Sequence, residues 1–474
     1  MKKLLLLLFL LTILSQQDNC LTVASISSSS DIIHVPEDYS SIQQAINHAK
    51  DGQLIYVASG VYKEYLSINK SVTIIGENSS TTIIEGNGTQ ILIKITANNV
   101  AISRFWIRNA ETGMYLEEVK NCLIEENKIT DIKCDVYAGV TTGMGIYAYK
   151  CENLTIQENF LTSVYYNHVY LAWSTNCRVA NNIFIANMRW SQPVYLIESD
   201  NNVIEWNKVW GTDEMNEGGI GISHSVGNIV QFNDIKQNDW CGISLLESNR
   251  TVIRGNNITA HSTQFGLYLV KSRDILVYCN NFINNFKDVS FSDIENVTWY
   301  NLGFGNYWDK YKGLDRNQDG IGDEPYTENG QNDTYPLMSR YRPFKTIIGK
   351  KEYIFDIISN STITNLNYTA QRELVIIISD TNSSSGFCLL GLPKELIQPD
   401  NVSLTINGAM LLNHLSLKAI DGRTILYLSY LYQTTEEVKI IVVPEAMNFT
   451  WLISLSVILS LCLLRKRCKK RCSK

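Results

Sequence analysis

The sequence predicts an all-β chain wound as a right-handed parallel β-helix, and three observations carry that prediction. A seven-residue phrase with Asn at one fixed place recurs through the middle of the chain. Short β-branched runs of period two fill the intervals, with no helical stripe among them. One amphipathic segment precedes the first of these runs. The phrase is two apolar residues, two variable ones, Asn, a variable residue and an apolar one. It ends at Ile129, Leu161, Val209, Ile235 and Ile258, with looser copies ending at Phe184 and Phe282. Its asparagines are Asn127, Asn159, Asn182, Asn207, Asn233, Asn256 and Asn280, spaced 32, 23, 25, 26, 23 and 24 residues apart.

Self-similarity at this period means a solenoid, in which each repeat buries its apolar face only against its neighbours. The Leu-x-x-Leu-x-Leu frame of a leucine-rich repeat is absent. Asn suits a corner because it tolerates left-handed backbone and bonds its own main chain. Stacked corners would then join their amides into an internal ladder. The run is expected to begin at Asn78, pass through Ile107 and end near Asn301, about ten coils in all. An open coil exposes strand edges and core. Within Ser40–Ala49, Ile42, Ala45, Ile46 and Ala49 share one helical face, which predicts a capping helix across the first coil.

The two ends predict export and tethering. Lys2-Lys3 followed by Leu4 to Leu14 reads as a signal peptide over 1–25, or as an anchor left uncut. Met447 to Leu464 is uncharged and mostly apolar, close to the length that spans a bilayer. The last ten residues hold seven Lys and Arg (465–474). That basic tail places the C-terminus in the cytoplasm and the body outside, single-pass. With net charge −6 overall, the rest is acidic and offers no basic groove, which excludes nucleic acid as partner. Thirteen N-x-S/T sequons, from Asn69 to Asn448, agree with export. Eleven cysteines make no compact disulfide framework and no Cys-x-x-Cys.

Twelve residues before successive ladder asparagines stand Tyr115, Tyr147, Tyr170 and Tyr195, each flanked by apolar residues. Alternation sends the flanking residues inward and the rings outward. In register, the rings would stack about 4.8 Å apart. Flat amphipathic rings suit sugar stacking, and equally a purely structural aromatic ladder. Three residues further along the coils come Trp173, Glu198, His224 and Glu247. Trp173 joins the candidate binding face. Glu198, His224 and Glu247, with Asp213 from a neighbouring loop, form an acid–base set of the kind that acts on sugars, or simply a solvated edge. No Gly-His-Gly, paired Asp-Asp or arginine constellation accompanies them.

The segment 34–78 (HVPEDYSSIQQAINHAKDGQLIYVASGVYKEYLSINKSVTIIGEN) resembles the opening of NosD-like and pectinesterase-like β-helix proteins. The segment 305–326 (GNYWDKYKGLDRNQDGIGDEPY) with 333–338 (DTYPLM) resembles the close of the NosD-like, copper-associated family and its archaeal cell-surface relatives. The resemblance covers 34–344. It implies a β-helix domain over 32–344, and for 350–443 the small β-sandwich that follows such helices in archaeal surface proteins. It also suggests copper, but the six histidines are scattered without His-x-His or Met-x-x-Met clusters.

Within the closing segment, Asp315, Asn317, Asp319, Ile321 and Asp323 have the spacing of a Ca²⁺ loop, with Tyr326 where the bidentate Glu would stand. The competing reading is an Asx-turn loop. The sequence is best read as a non-catalytic surface protein that binds cell-envelope glycans or surface proteins. A carbohydrate-active enzyme and a copper-handling accessory protein are the alternatives.

Overall fold

The computed structural model describes residues 32–133, 143–188, 190–212, 218–259, 265–317, 319–369, 374–379, 385–396, 402–406, 409–410, 415–420, 423–431 and 438–444. The expected signal peptide, transmembrane helix and basic tail lie outside these residues. Among the described residues no helix is long and apolar enough to cross a membrane. The chain divides into two compact units, 1–343 and 344–474.

The first unit is a parallel β-solenoid. Three sheets of 12, 11 and 10 strands run its length, each strand pairing with the one a coil away. The 12-stranded sheet starts at Ile32–Val35, the 11-stranded at Gly60–Tyr62 and the 10-stranded at Leu66–Ile68. Inward residues stack coil on coil. Ile124, Ile156, Val179, Ile204, Val230 and Ile253 are register partners in the 12-stranded sheet. Leu116, Ala148, Leu171, Leu196, Ile222 and Leu245 are partners in the 10-stranded sheet. All are buried. Parallel sheets need apolar cover. Here the three inner faces cover one another.

About eleven coils result, one more than the repeats predict, because the solenoid begins at Ile32 rather than near Asn78. Asn78 is exposed on a turn and stands outside the ladder. The inward corner one coil before Asn127 holds Phe105 instead, whose N–H donates to Asn127 Oδ1 at 3.1 Å. From Asn127 the ladder runs as expected. Each Nδ2 reaches the next Oδ1, as in Asn182 to Asn207 and Asn207 to Asn233, both 3.0 Å. It extends one step further than predicted, to Asn306, where the Asp333 carboxylate accepts from the Asn306 N–H at 2.6 Å and from Trp308 Nε1 at 2.9 Å.

The reason for Asn at the corner also differs from expectation. The left-handed residue is the one before it: Glu126, Glu158, Asn181, Trp206, Phe232, Gly255 and Cys279 have φ between 53° and 64°. A non-glycine residue there costs about 1–2 kcal/mol. The buried amide that follows offsets this by satisfying two main-chain groups of the preceding coil, as Asn207 does for the Asn182 N–H and the Val179 carbonyl.

The helix α1, Ile42–His48, starts at the N-cap Ser41, whose hydroxyl accepts from the Gln44 N–H. Glu64 accepts from the free N–H groups of Ile42 and Gln43 at 3.0 and 2.9 Å, meeting the unpaired donors of a first turn. Ile42, Ala45 and Ile46 are fully buried in the solenoid core.

The second unit contains two five-stranded antiparallel sheets. Phe355, Leu390 and Leu426 of one and Leu374 and Ile376 of the other lie in one buried cluster.

Candidate functional site

The outer face of the 10-stranded sheet carries the predicted tyrosine row. Tyr115, Tyr147, Tyr170 and Tyr195 are direct register partners on consecutive coils. Their ring centroids are 5.0, 5.2 and 5.8 Å apart, with interplanar angles of 39°, 61° and 6°. Only the last pair is a parallel stack, so the row is a rippled platform. All four are half-buried, while Met114, Leu116, Val169, Leu171, Val194 and Leu196 are fully buried, as the alternation predicts. Tyr149 extends the platform sideways to the exposed Trp173, 5.5 Å away.

The Tyr115 hydroxyl donates to Glu117 Oε1 at 3.2 Å. No protein group engages those of Tyr147, Tyr170 and Tyr195 among the described residues. Burial raises the Tyr147 pKa and pushes Tyr170 up to about 12. These phenols therefore keep their protons at neutral pH and remain donors.

Beyond Tyr195 the row changes character. Its next register partners are Gly221 and Ser244, before Tyr268 resumes it. A Cβ at Gly221 would stand 2.6 Å from Tyr195 Cδ2. Glycine thus lets the Tyr195 ring lie down over the following coil. Tyr268 is braced by Trp240 and Phe265, at 5.2 and 5.4 Å.

The predicted acid–base residues lie along a corner rather than on the sheet. Glu118, Lys150, Trp173, Glu198, His224, Glu247 and Lys271 all have left-handed φ, 47° to 55°. The residues after them form a second internal ladder that the sequence reading missed. Each main-chain N–H from Cys151 through Ser174, Ser199 and Ser225 to Ser248 donates to the serine hydroxyl one coil on, ending at Ser272. The spacing of those serines was the available signal.

Along this corner His224 and Glu247 meet, Nε2 to Oε2 at 3.2 Å, and Lys271 binds the other Glu247 oxygen at 3.1 Å. Ser223 Oγ lies 2.7 Å from His224 Nδ1. A carboxylate only accepts, so Nε2 carries the proton and Nδ1 accepts from Ser223. The hydroxyl–imidazole–carboxylate line has the order of a nucleophile and its base, but Ser223 is only 2% exposed. Lys271, foremost, holds Glu247 below the usual carboxylate range, which suits a base and not an acid. Glu198 is exposed on the coil before His224. Asp213 lies outside the described residues.

In the closing segment the candidate calcium ligands serve the loop itself. Asp315 accepts from the N–H groups of Asp319 and Gly320 at 3.1 and 2.9 Å. Asp319 accepts from Ile321 N–H at 2.9 Å, and Asp323 from Arg316 N–H at 2.6 Å. Asn317 accepts from Asp319 N–H at 3.1 Å. Among the described residues no three His, Cys, Asp or Glu gather as a metal site. The arrangement is that of nested Asx turns, each accepting oxygen still holding lone pairs.

The family of periplasmic copper-binding proteins (NosD) matches residues 94–313. A cell surface glycoprotein of Methanothermus fervidus is 27% identical over 353 residues, 65% of this chain and 56% of its own length. A probable ABC transporter binding protein NosD of Stutzerimonas stutzeri is 30% identical over 122 residues, 23% of this chain and 27% of its own. Over residues 94–313, a little under half of its length, the chain is similar to the NosD family, on a parallel β-helix fold.

The chain thus spans little more than half of one such relative and about a quarter of the other. Among solved structures, a DFA-IIIase from Arthrobacter chlorophenolicus is 10% identical with TM-score 0.42, over 58% of this chain and 94% of that one. A periplasmic alginate epimerase, AlgG, is 14% identical with TM-score 0.39, over 57% and 83%. For copper, the described residues fit poorly. Cys122, Cys151, Cys177 and Cys241 are buried free thiols, pushed by burial up to about 11, 12, 12 and 12. Protonated thiols are poor metal ligands.

Proposed function

We propose that this chain is a non-catalytic surface protein, held outside the cell by a membrane helix at 447–464, that binds glycan chains along the tyrosine platform. One observation carries the reading: three consecutive tyrosines stand in register at fixed spacing on one outer face, with hydroxyls unengaged among the described residues. Because the backbone sets that spacing, a sugar chain laid along it requires little ordering of the protein, which keeps the entropic cost low. The surface location draws support from the cell surface glycoprotein of Methanothermus fervidus. On this reading α1 caps the first coil, and the two antiparallel sheets of the second unit pack as a β-sandwich.

The test uses full-length protein in detergent on an array of neutral and acidic glycans. Along the platform's edge Glu117, Glu118 and Glu247 are paired with Lys94, Lys150 and Lys271, so the charge is nearly balanced and the array carries both classes. The triple variant Tyr147→Ala, Tyr170→Ala, Tyr195→Ala should lose at least tenfold in affinity while remaining folded. Binding that survives the triple variant would place the ligand elsewhere. Shortened or epimerised glycan after incubation would instead favour an enzyme working at the Ser223–His224–Glu247 corner.

A further inference from the structure

We propose that, in the exported protein, Asn78 and Asn87 carry N-linked glycans, and that the sequons woven into strands, Asn257 foremost, stay bare. The inference rests on the extracellular reading of the body, because N-linked transfer takes place on the outer side of a membrane. The sequence offers many sequons of equal form. The fold makes them unequal.

Asn78 follows the strand Thr73–Gly76, and both Asn78 and Ser80 are exposed. Its Oδ1 accepts from the Ser80 N–H at 2.7 Å. Asn87 follows Thr82–Glu85. Its Oδ1 accepts from the Thr89 N–H at 3.1 Å and from the Thr89 hydroxyl at 2.7 Å. Gly88, with φ +87°, makes the tight turn between them. At both sites the Asx turn occupies the carboxamide oxygen and leaves Nδ2 without a partner among the described residues. Residue three of the sequon lies beside it at the surface.

Asn257 is the opposite case. It lies in the strand Asn257–Thr259, and its Nδ2 donates to Asp234 Oδ1 at 2.8 Å. Ile258, between Asn257 and Thr259, is fully buried, and the Thr259 hydroxyl is enclosed. Asn153 donates to Asn121 Oδ1 at 2.7 Å and is followed by the buried Leu154. The Asn249 sequon ends at the fully buried Thr251. A transferase must hold the asparagine and the hydroxyl residue together. At Asn78 and Asn87 it can do so without opening a coil. At Asn257 it would have to strip a strand from its ladder.

The donor is a lipid-phosphate-linked oligosaccharide, supplied with its membrane transferase by the host. Asn Nδ2 attacks the anomeric carbon. The N–C bond forms as the C–O bond to phosphate breaks, the lipid phosphate leaves with the electron pair, and one Nδ2 proton passes to a base. No redox partner is needed.

The test is peptide mass spectrometry on protein taken from the surface of its own cells, with fractionation run alongside to locate the body. Peptides holding Asn78 and Asn87 should be mostly shifted by a glycan mass, and the Asn257 peptide should be unshifted. Asn87→Gln should remove one glycan from the intact mass and leave the melting temperature unchanged. Bare Asn78 and Asn87 on surface-located protein would overturn the inference, as would Asn257 occupied to the same degree. A body found only inside the cell would overturn the exported reading and this inference with it.

Discussion

The 12-stranded and 10-stranded sheets share the same coils, and their outer rows have the same period, yet they use their hydrogen-bonding capacity in opposite ways. On the 12-stranded sheet the row closes on itself. Gln157 donates to Glu125 at 2.8 Å, Arg178 to Glu205 at 2.7 Å, Gln231 to Glu205 at 2.6 Å, Arg254 to Gln231 at 2.7 Å and Arg254 to the Tyr278 hydroxyl at 3.0 Å. On the 10-stranded sheet Tyr147, Tyr170 and Tyr195 offer hydroxyls to solvent. A surface row whose polar groups are all engaged by one another stabilises the coil and has little left for a ligand. A row of rings with open hydroxyls can bind one.

The interior that both faces share should be the most sensitive. Asn207→Ala removes the acceptor for the Asn182 N–H and side chain and the donor to the Val179 carbonyl. Each buried group left unpaired costs about 1–3 kcal/mol, so a loss of about 3 kcal/mol or more is expected in denaturant melts. A loss under 1 kcal/mol would mean that the ladder is not what holds the corner.

On the closed row, Glu205→Ala should cost about 2 kcal/mol, because Gln231 is buried and loses its partner while Arg178 can still turn to water. If Glu205→Ala proves as mild as Tyr170→Ala, the contrast between the two faces disappears.

The interior also predicts a pH dependence. His168 is fully buried, bonded among the described residues only through Nε2 to Ser191 at 3.2 Å, and burial pulls its pKa down to about 3. The unfolded chain takes up that proton near 6.5. Stability is therefore full above pH 6.5 and falls as pH drops toward 3, by up to about 1.4 kcal/mol per unit. Asp333, raised by burial to about 6, acts in the opposite sense. Its contribution grows as pH falls from 6 toward 4. His168→Gln should flatten the acid limb, and Asp333→Asn should steepen it, in melts between pH 7 and 4.

Tyr170→Ala should cost about 1 kcal/mol, against about 2–5 kcal/mol for its buried neighbour Leu171→Ala. Equal losses would overturn the inward–outward assignment. The smallest effect belongs to the closing loop. If the N–H bonds to Asp315, Asp319 and Asp323 are all that holds the loop, EGTA should leave the melting temperature unchanged. A drop of several degrees that Asp319→Ala abolishes would establish calcium in the loop.

The Asn ladder was legible because a buried amide in a repeating corner has few places to bond, so the residue recurs. Its last member was missed. Asn306 stands 26 residues after Asn280, but Gly303 occupies the place of the second apolar residue that marks the other copies. The tyrosine row was legible through its constant offset from the asparagines. Its ripple was not, because ring tilt depends on neighbours such as Gly221. The acid–base set looked concerted in sequence, and only the His224–Glu247 contact forms among the described residues.

The sequence by itself determined the period, the stacking of coils and the inward or outward direction of nearly every strand residue. Those follow from alternation and from burying apolar side chains, which the order of residues encodes directly. Only the tertiary structure decided which polar groups stay available. It assigned left-handed backbone to Glu126, Trp206 and Phe232, against their own preference. It closed one outer row into a hydrogen-bonded chain and left the other open, and it separated the sequons on turns from those in strands. A hydrogen bond between coils depends on which side chain lies one turn away, two dozen residues along the chain, and that neighbour exists only once the coil has closed.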